Sequence, residues 1–192
     1  LEERIMHLCG VPTHSINSKT RPLTKTHAVI LRAIAPRVAP FVFSKKFYNT
    51  LYQALSDELT LDPPESVAGD SARLQALLMC FAELVASIPS HEYQMINEEI
   101  IDFYDKCLKR GTEGYYIDLV QYYCSNTTHS YEKHAPIYTS NVLEHMNADD
   151  KTLVDKVVPC ITAIFAKLPK ETQFGLVPLI REAIEKLAVD PV

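Results

Sequence analysis

Asn147–Leu168, NADDKTLVDKVVPCITAIFAKL, is the stretch whose reading decides the fold. Leu153, Val154, Val157, Ile161, Ile164, Phe165 and Leu168 recur at the three- and four-residue steps that put apolar groups on one side of a helix. The turn Asn147-Ala148-Asp149-Asp150 ahead of them places acids where the first turn of a helix leaves N–H groups unpaired. The spacing therefore predicts an amphipathic helix over 150–168, with Ile161 and Phe165 facing inward and Lys156 on the polar side. Working outward, Leu74, Leu77, Leu78, Phe81, Leu84, Val85 and Ile88 repeat the pattern. No stretch alternates apolar and polar residues between Asn-Gly or Asp-Gly turns, so hairpins are not expected. The chain reads as all-α.

Turn and capping residues place helices near 1–9, 23–38, 45–59, 70–88, 91–109, 113–126, 130–146, 150–168 and 171–188, about nine in all. They alternate as pairs, and first helices starting at 45, 91, 130 and 171 recur roughly every 40 residues, a period of two helices and no strand that fits HEAT repeats. One helix pair cannot bury its own apolar face, whereas stacked pairs share a continuous core. The expected architecture is one right-handed α-solenoid over 1–192, with approximate repeats 1–39, 40–89, 90–128, 129–169 and 170–192, the terminal ones incomplete. Pro136 and Pro178 are expected early in first helices, where many such repeats bend. Thr60–Gly69, with Pro63-Pro64, is the long loop within a repeat.

Composition agrees with a globular chain of this kind. Of 192 residues, 47% are hydrophobic and 22% charged, which excludes collagen, disordered tails and disulfide miniproteins. Five cysteines (Cys9, Cys80, Cys107, Cys124, Cys160) form no C-x-x-C pair, so a reducing cytoplasmic setting is expected, without a zinc site or disulfide framework. No apolar run is long enough for a membrane span. The first residue, Leu1, points to a fragment of a longer protein.

Nothing in the sequence builds an active site. G-x-x-x-x-G-K-[ST], G-x-G-x-x-G and G-x-S-x-G are absent, and 5 scattered glycines do not form a phosphate-cradling loop. His129, His134 and His145 are the densest histidine group, but no HExxH or thiol pair completes a metal set, so they read as surface or junction residues. Glu98-Glu99 with Asp102 and Asp105 reads as a solvated helix face, because paired carboxylates do catalytic work only in a cleft that separates their pKa values. Asn126-Thr127-Thr128 fits the glycosylation pattern, which the cytoplasmic reading makes accidental. Tyr115-Tyr116 and Tyr122-Tyr123, seven apart, should each turn one ring inward and leave its neighbour at the rim. No catalytic, metal or cofactor residues are expected, and no cofactor.

Charge is the informative feature. Residues 1–56 carry eight basic groups against two acids; residues 57–105 carry eleven acids against Arg73 alone; the other 87 residues hold ten basic and eleven acidic groups. Arg21, Lys25, Arg32, Lys45 and Lys46 form the candidate contact patch, for an acidic protein or for phosphates of RNA read by charge and shape rather than sequence.

With the repeats placed, the chain resembles the HEAT-repeat segment of the general-control translational activator family. The resemblance lies in Glu98-Glu99-Ile100-Ile101, Tyr122-Tyr123-Cys124-Ser125, Tyr131 followed by His134, Asn147-Ala148-Asp149-Asp150 and the helix Leu153–Leu168, with a fainter match from Met6 through Ala39-Pro40 to Leu59. It implies a non-enzymatic scaffold, cytoplasmic and ribosome-associated, that presents helical surfaces to an ATP-binding-cassette protein and to the regulatory domain of an uncharged-tRNA-sensing kinase. The family's kinase-docking arginine matches no arginine here, including Arg181, so the resemblance transfers no binding residue. The alternative is a HEAT module of another large assembly, a nuclear transport receptor or a microtubule-associated array; an all-α enzyme is the third.

Overall fold

The computed structural model describes residues 48–49, 52–53, 70–88 and 94–189, and all regular structure among them is helical. The six helices are α1 (Asp70–Ser87), α2 (Ile96–Leu108), α3 (Glu113–Asn126), α4 (Ala135–Leu143), α5 (Lys151–Ala166) and α6 (Lys170–Val189). Nine were expected; those at 1–9 and 23–38, almost all of 45–59, and the loop 60–69 lie outside the described residues. The chain divides into two compact units, Leu1–Gln94 and Met95–Val192.

In the first unit, α1 carries the predicted apolar run but is not merely amphipathic. Residues 81 to 86 are buried in succession, so this part of the helix is enclosed on every side. Phe81 lies with its ring centroid 5.5 Å from that of Tyr48 and 5.5 Å from that of Tyr52, two tyrosines one helical turn apart. These tilted arrangements suit the aromatic quadrupole better than a face-to-face sandwich.

In the second unit, α2 buries Ile96, Asn97, Ile100, Phe103, Tyr104 and Cys107, a stripe at helical spacing with one polar member. The helix ends in a Schellman-type turn: Thr112 N–H and Oγ1 both donate to the Cys107 carbonyl (3.0 and 3.3 Å), and Gly111 takes a φ of 65°. That left-handed backbone suits a residue without Cβ. α3 follows with the predicted boundaries, and its tyrosine pairs divide as expected, Tyr116 and Tyr123 fully buried and Tyr115 and Tyr122 at the rim.

α4 differs most from expectation. It covers nine residues rather than 130–146, and its start is set by tertiary bonds. Ser130 gives its carbonyl to the Asn97 side-chain amide (3.2 Å), and Tyr131 donates its hydroxyl to the Ile164 carbonyl (3.0 Å), which holds this junction out of the helix. Pro136 then stands in the first turn, where a missing N–H costs nothing, instead of bending the helix from within. At the other end, Glu144–Asn147 continue as tight turns held by i→i+3 bonds, including Met146 N–H to Leu143 carbonyl at 3.1 Å.

α5 is N-capped by Asp150, whose carboxylate accepts from Thr152 N–H at 2.8 Å, as the acidic turn implied. Its buried face is Val157, Cys160, Ala163 and Ile164. Ile161 and Phe165, expected inward, are half-buried at the edges of the stripe. Pro159 in α5 and Pro178 in α6 lie inside their helices but on exposed positions, where solvent can satisfy the carbonyl that loses its donor.

The packing pattern within this unit is pairwise and serial. α2 packs on α3 and α4 on α5; first helices also meet (α2 with α4, α4 with α6), and α3 lies along α5. The starts of α2, α4 and α6 are 39 and then 35 residues apart, read from their ranges.

Candidate interaction surfaces

Polar contacts separated by about 40 residues recur along the second unit. Tyr104 donates to Glu144 Oε2 at 2.9 Å and lies 3.1 Å from His145 Nε2, at separations of 40 and 41 residues. Tyr138 donates to Asn97 Oδ1 at 2.9 Å (41 residues), Lys156 Nζ to Asp118 Oδ2 at 2.7 Å (38), Lys167 Nζ to the Thr127 carbonyl at 2.9 Å (40), and Thr172 to Glu132 (40). Each contact joins similar positions one repeat apart. Helix pairs stacked at a fixed period place such positions side by side, so the roughly 40-residue interval in the sequence is also the interval of physical contact.

The buried centre of this seam is polar. Asn97 Oδ1 accepts from both Tyr138 (2.9 Å) and Tyr123 (3.1 Å), while its amide donates to Ser130. Tyr138 also lies 3.3 Å from the Asn97 main-chain carbonyl. Asn97 thus satisfies groups from α3, α4 and the α3–α4 junction at once. The hydroxyls sit among rings: Tyr131 is 6.2 Å from Tyr123 and 6.4 Å from Tyr138, centroid to centroid.

Burial moves the ionisable groups of this core one way. Desolvation pushes the thiols of Cys107 and Cys124 from an ordinary 9.0 up to about 12, and raises the hydroxyls of Tyr104, Tyr116, Tyr123 and Tyr131 above their ordinary 10.0. A raised pKa means that the folded chain keeps protons the unfolded chain releases. The stabilisation is therefore complete below about pH 9 and is lost as the pH climbs, first through the thiols and then, above about 10, through the phenols. The midpoint of urea unfolding of the second unit should hold steady from about pH 7 to 8.5 and fall between about 9 and 11; an unchanged midpoint at pH 10.5 would contradict this burial.

The candidate chemistry of the sequence resolves into structure. His129 is buried at the α3–α4 junction, stacked 6.3 Å from Tyr123, rather than on the surface. His134 lies 3.6 Å from Glu98 Oε1 across α2 and α4, and His145 meets Tyr104, so the three histidines take separate packing positions. Among the described residues no three His, Cys, Asp or Glu side chains could hold a metal ion. Glu98, Asp102 and Asp105 are exposed on α2, as a solvated face should be. Asn126 ends α3 with its amide on the Tyr122 carbonyl at 2.9 Å. Cys107, Cys124 and Cys160 are free and buried. No helix among the described residues is long and apolar enough to cross a membrane.

Arg21, Lys25, Arg32, Lys45 and Lys46 all lie outside the described residues. Sequence reasoning missed the contacts that set the stacking. Lys156, expected to be a bystander on the polar face, ties α5 to α3. Opposite charges one repeat apart, Asp118 and Lys156, were a visible signal for it, whereas Asn97 in an apolar stripe gave none.

Paired helices that pack serially, their first helices starting 39 and 35 residues apart, define a helical-repeat fold. A family model described as stalled ribosome sensor GCN1-like, HEAT repeats, matches residues 16–191. The chain belongs to this family of HEAT repeats. No curated protein and no solved structure matches it.

Proposed function

We propose that the chain is a segment of a right-handed α-solenoid that acts as a non-enzymatic scaffold on ribosomes, within a translational activator that helps a starvation-responsive initiation-factor kinase respond. The observation that carries this reading is the family match over residues 16–191, whose description is that of a stalled-ribosome sensor. Three features support it. Helix pairs stack serially through contacts 38 to 41 residues apart. The chain lacks nucleotide-binding and nucleophile motifs. Its first 56 residues carry eight basic groups against two acids, a charge balance suited to ribosomal RNA phosphates. The kinase regulatory domain and an ATP-binding-cassette protein are the protein partners implied by the family, and the setting is cytoplasmic.

In this reading Arg21, Lys25, Arg32, Lys45 and Lys46 steer the encounter, because serial repeats keep sequence neighbours close in space. A variant with charges reversed at Lys25, Arg32, Lys45 and Lys46 should lose co-sedimentation with ribosomes at low salt while its circular dichroism stays helical. Retained co-sedimentation would assign the contact to other residues.

A further inference from the structure

A cleft of about 270 Å3 opens between α4 and α6 in the second unit. Leu143, Leu179 and Ala183 contribute apolar lining, and Glu144, Glu182 and Asn147 line it as well, beside Lys186. Glu144 is held in place, because its Oε2 accepts from the Tyr104 hydroxyl at 2.9 Å, and its other oxygen takes no described bond. Among the described residues Glu182 bonds only to Lys186, at 2.9 Å, in an exposed pair one helical turn apart. Such a pair is worth little in water and exchanges readily for a better partner.

These features suit one kind of side chain. Aliphatic lining side chains pack against an aliphatic stem, and the acceptors beside them take a head with several donors. An ammonium is a compact, strongly hydrated point charge, whereas a guanidinium offers five N–H groups in a planar fork and is more weakly hydrated. Two carboxylates against Lys186 leave the cleft net negative, which complements that cation. We propose that this cleft binds an arginine side chain of a partner polypeptide, its stem over Leu143 and Leu179 and its guanidinium on Glu144 and Glu182 in place of Lys186. This site is independent of the ribosome reading, since it lies in the second unit and its test contains no ribosome.

The test is titration of the full 192-residue chain with acetyl-Gly-Arg-Gly-amide, followed by amide NMR shifts, beside the same peptide carrying citrulline or lysine. The arginine peptide should move signals around 140–147 and 179–186 and saturate. The citrulline peptide, matched in shape but uncharged, should not, and the lysine peptide should bind about fivefold more weakly. Glu182→Gln and Glu144→Gln should each weaken arginine binding about fivefold or more, as expected for loss of a charge-assisted bond, and Lys186→Gln should tighten it. Glu182 is exposed and, among the described residues, bonded only to Lys186, so E182Q leaves the fold intact and its result stands even if E144Q loosens α4. Equal shifts with citrulline, equal binding of lysine, or an E182Q affinity equal to that of the parent would overturn the proposal.

Discussion

Asn97→Ala should destabilise the second unit by roughly 2–5 kcal/mol, far more than a surface substitution, because one side-chain oxygen accepts from two buried tyrosines. Removing it takes the acceptor from the Tyr123 hydroxyl, leaving only the Thr127 side chain beside it, and obliges Tyr138 to depend on the main-chain carbonyl at position 97, 3.3 Å away. An orphaned buried donor costs more than a deleted bond, so Tyr123→Phe, which removes the donor itself, should cost only about 1 kcal/mol. Combining Asn97→Ala with Tyr123→Phe should then cost less than the two changes summed, since the orphan is gone. Strictly additive losses in urea unfolding would mean that Asn97 is not the shared acceptor.

Ile164→Ala should cost a similar amount, roughly 2–5 kcal/mol, the range for emptying a closed core site. Ile164 is fully buried on the α5 face that meets its neighbours, and its carbonyl receives Tyr131. Ile161→Ala, at the half-buried edge, should cost about half as much or less, because much of its surface is already in water. Lys156→Ala should cost about 1 kcal/mol or less, since the ion pair with Asp118 is part-exposed. Unfolding midpoints should rise from Ile164→Ala through Ile161→Ala to Lys156→Ala; an Ile161→Ala midpoint below that of Ile164→Ala would overturn this assignment of the buried face.

These cases show what periodicity can and cannot deliver. Seven apolar residues between Leu153 and Leu168 mark a helix and its wet side, but a stripe that wide does not locate its own centre. The centre falls at Val157, Cys160 and Ile164, and Cys160, a small apolar group, stands out less in the pattern than the larger side chains around it. The boundaries of α3 were legible because Gly111 and Thr112 act locally. Those of α4 were not, because Ser130 and Tyr131 are held by Asn97 and Ile164, each 33 residues distant. The tyrosine pairs of α3 were legible because two adjacent rings cannot both face inward. The basic patch was legible as charge alone, while the cleft between α4 and α6 joins residues whose proximity depends on how one repeat lies on the next.

Salt titration of ribosome co-sedimentation, comparing the chain with its Lys25, Arg32, Lys45 and Lys46 charge-reversed variant, tests the scaffold reading most directly. Contacts from basic side chains to RNA phosphates release counterions, so binding of the parent should fall steeply as salt rises, and the variant should bind weakly with a much flatter dependence. Binding by the parent that is unchanged across the titration, or the same steep slope in both proteins, would contradict it.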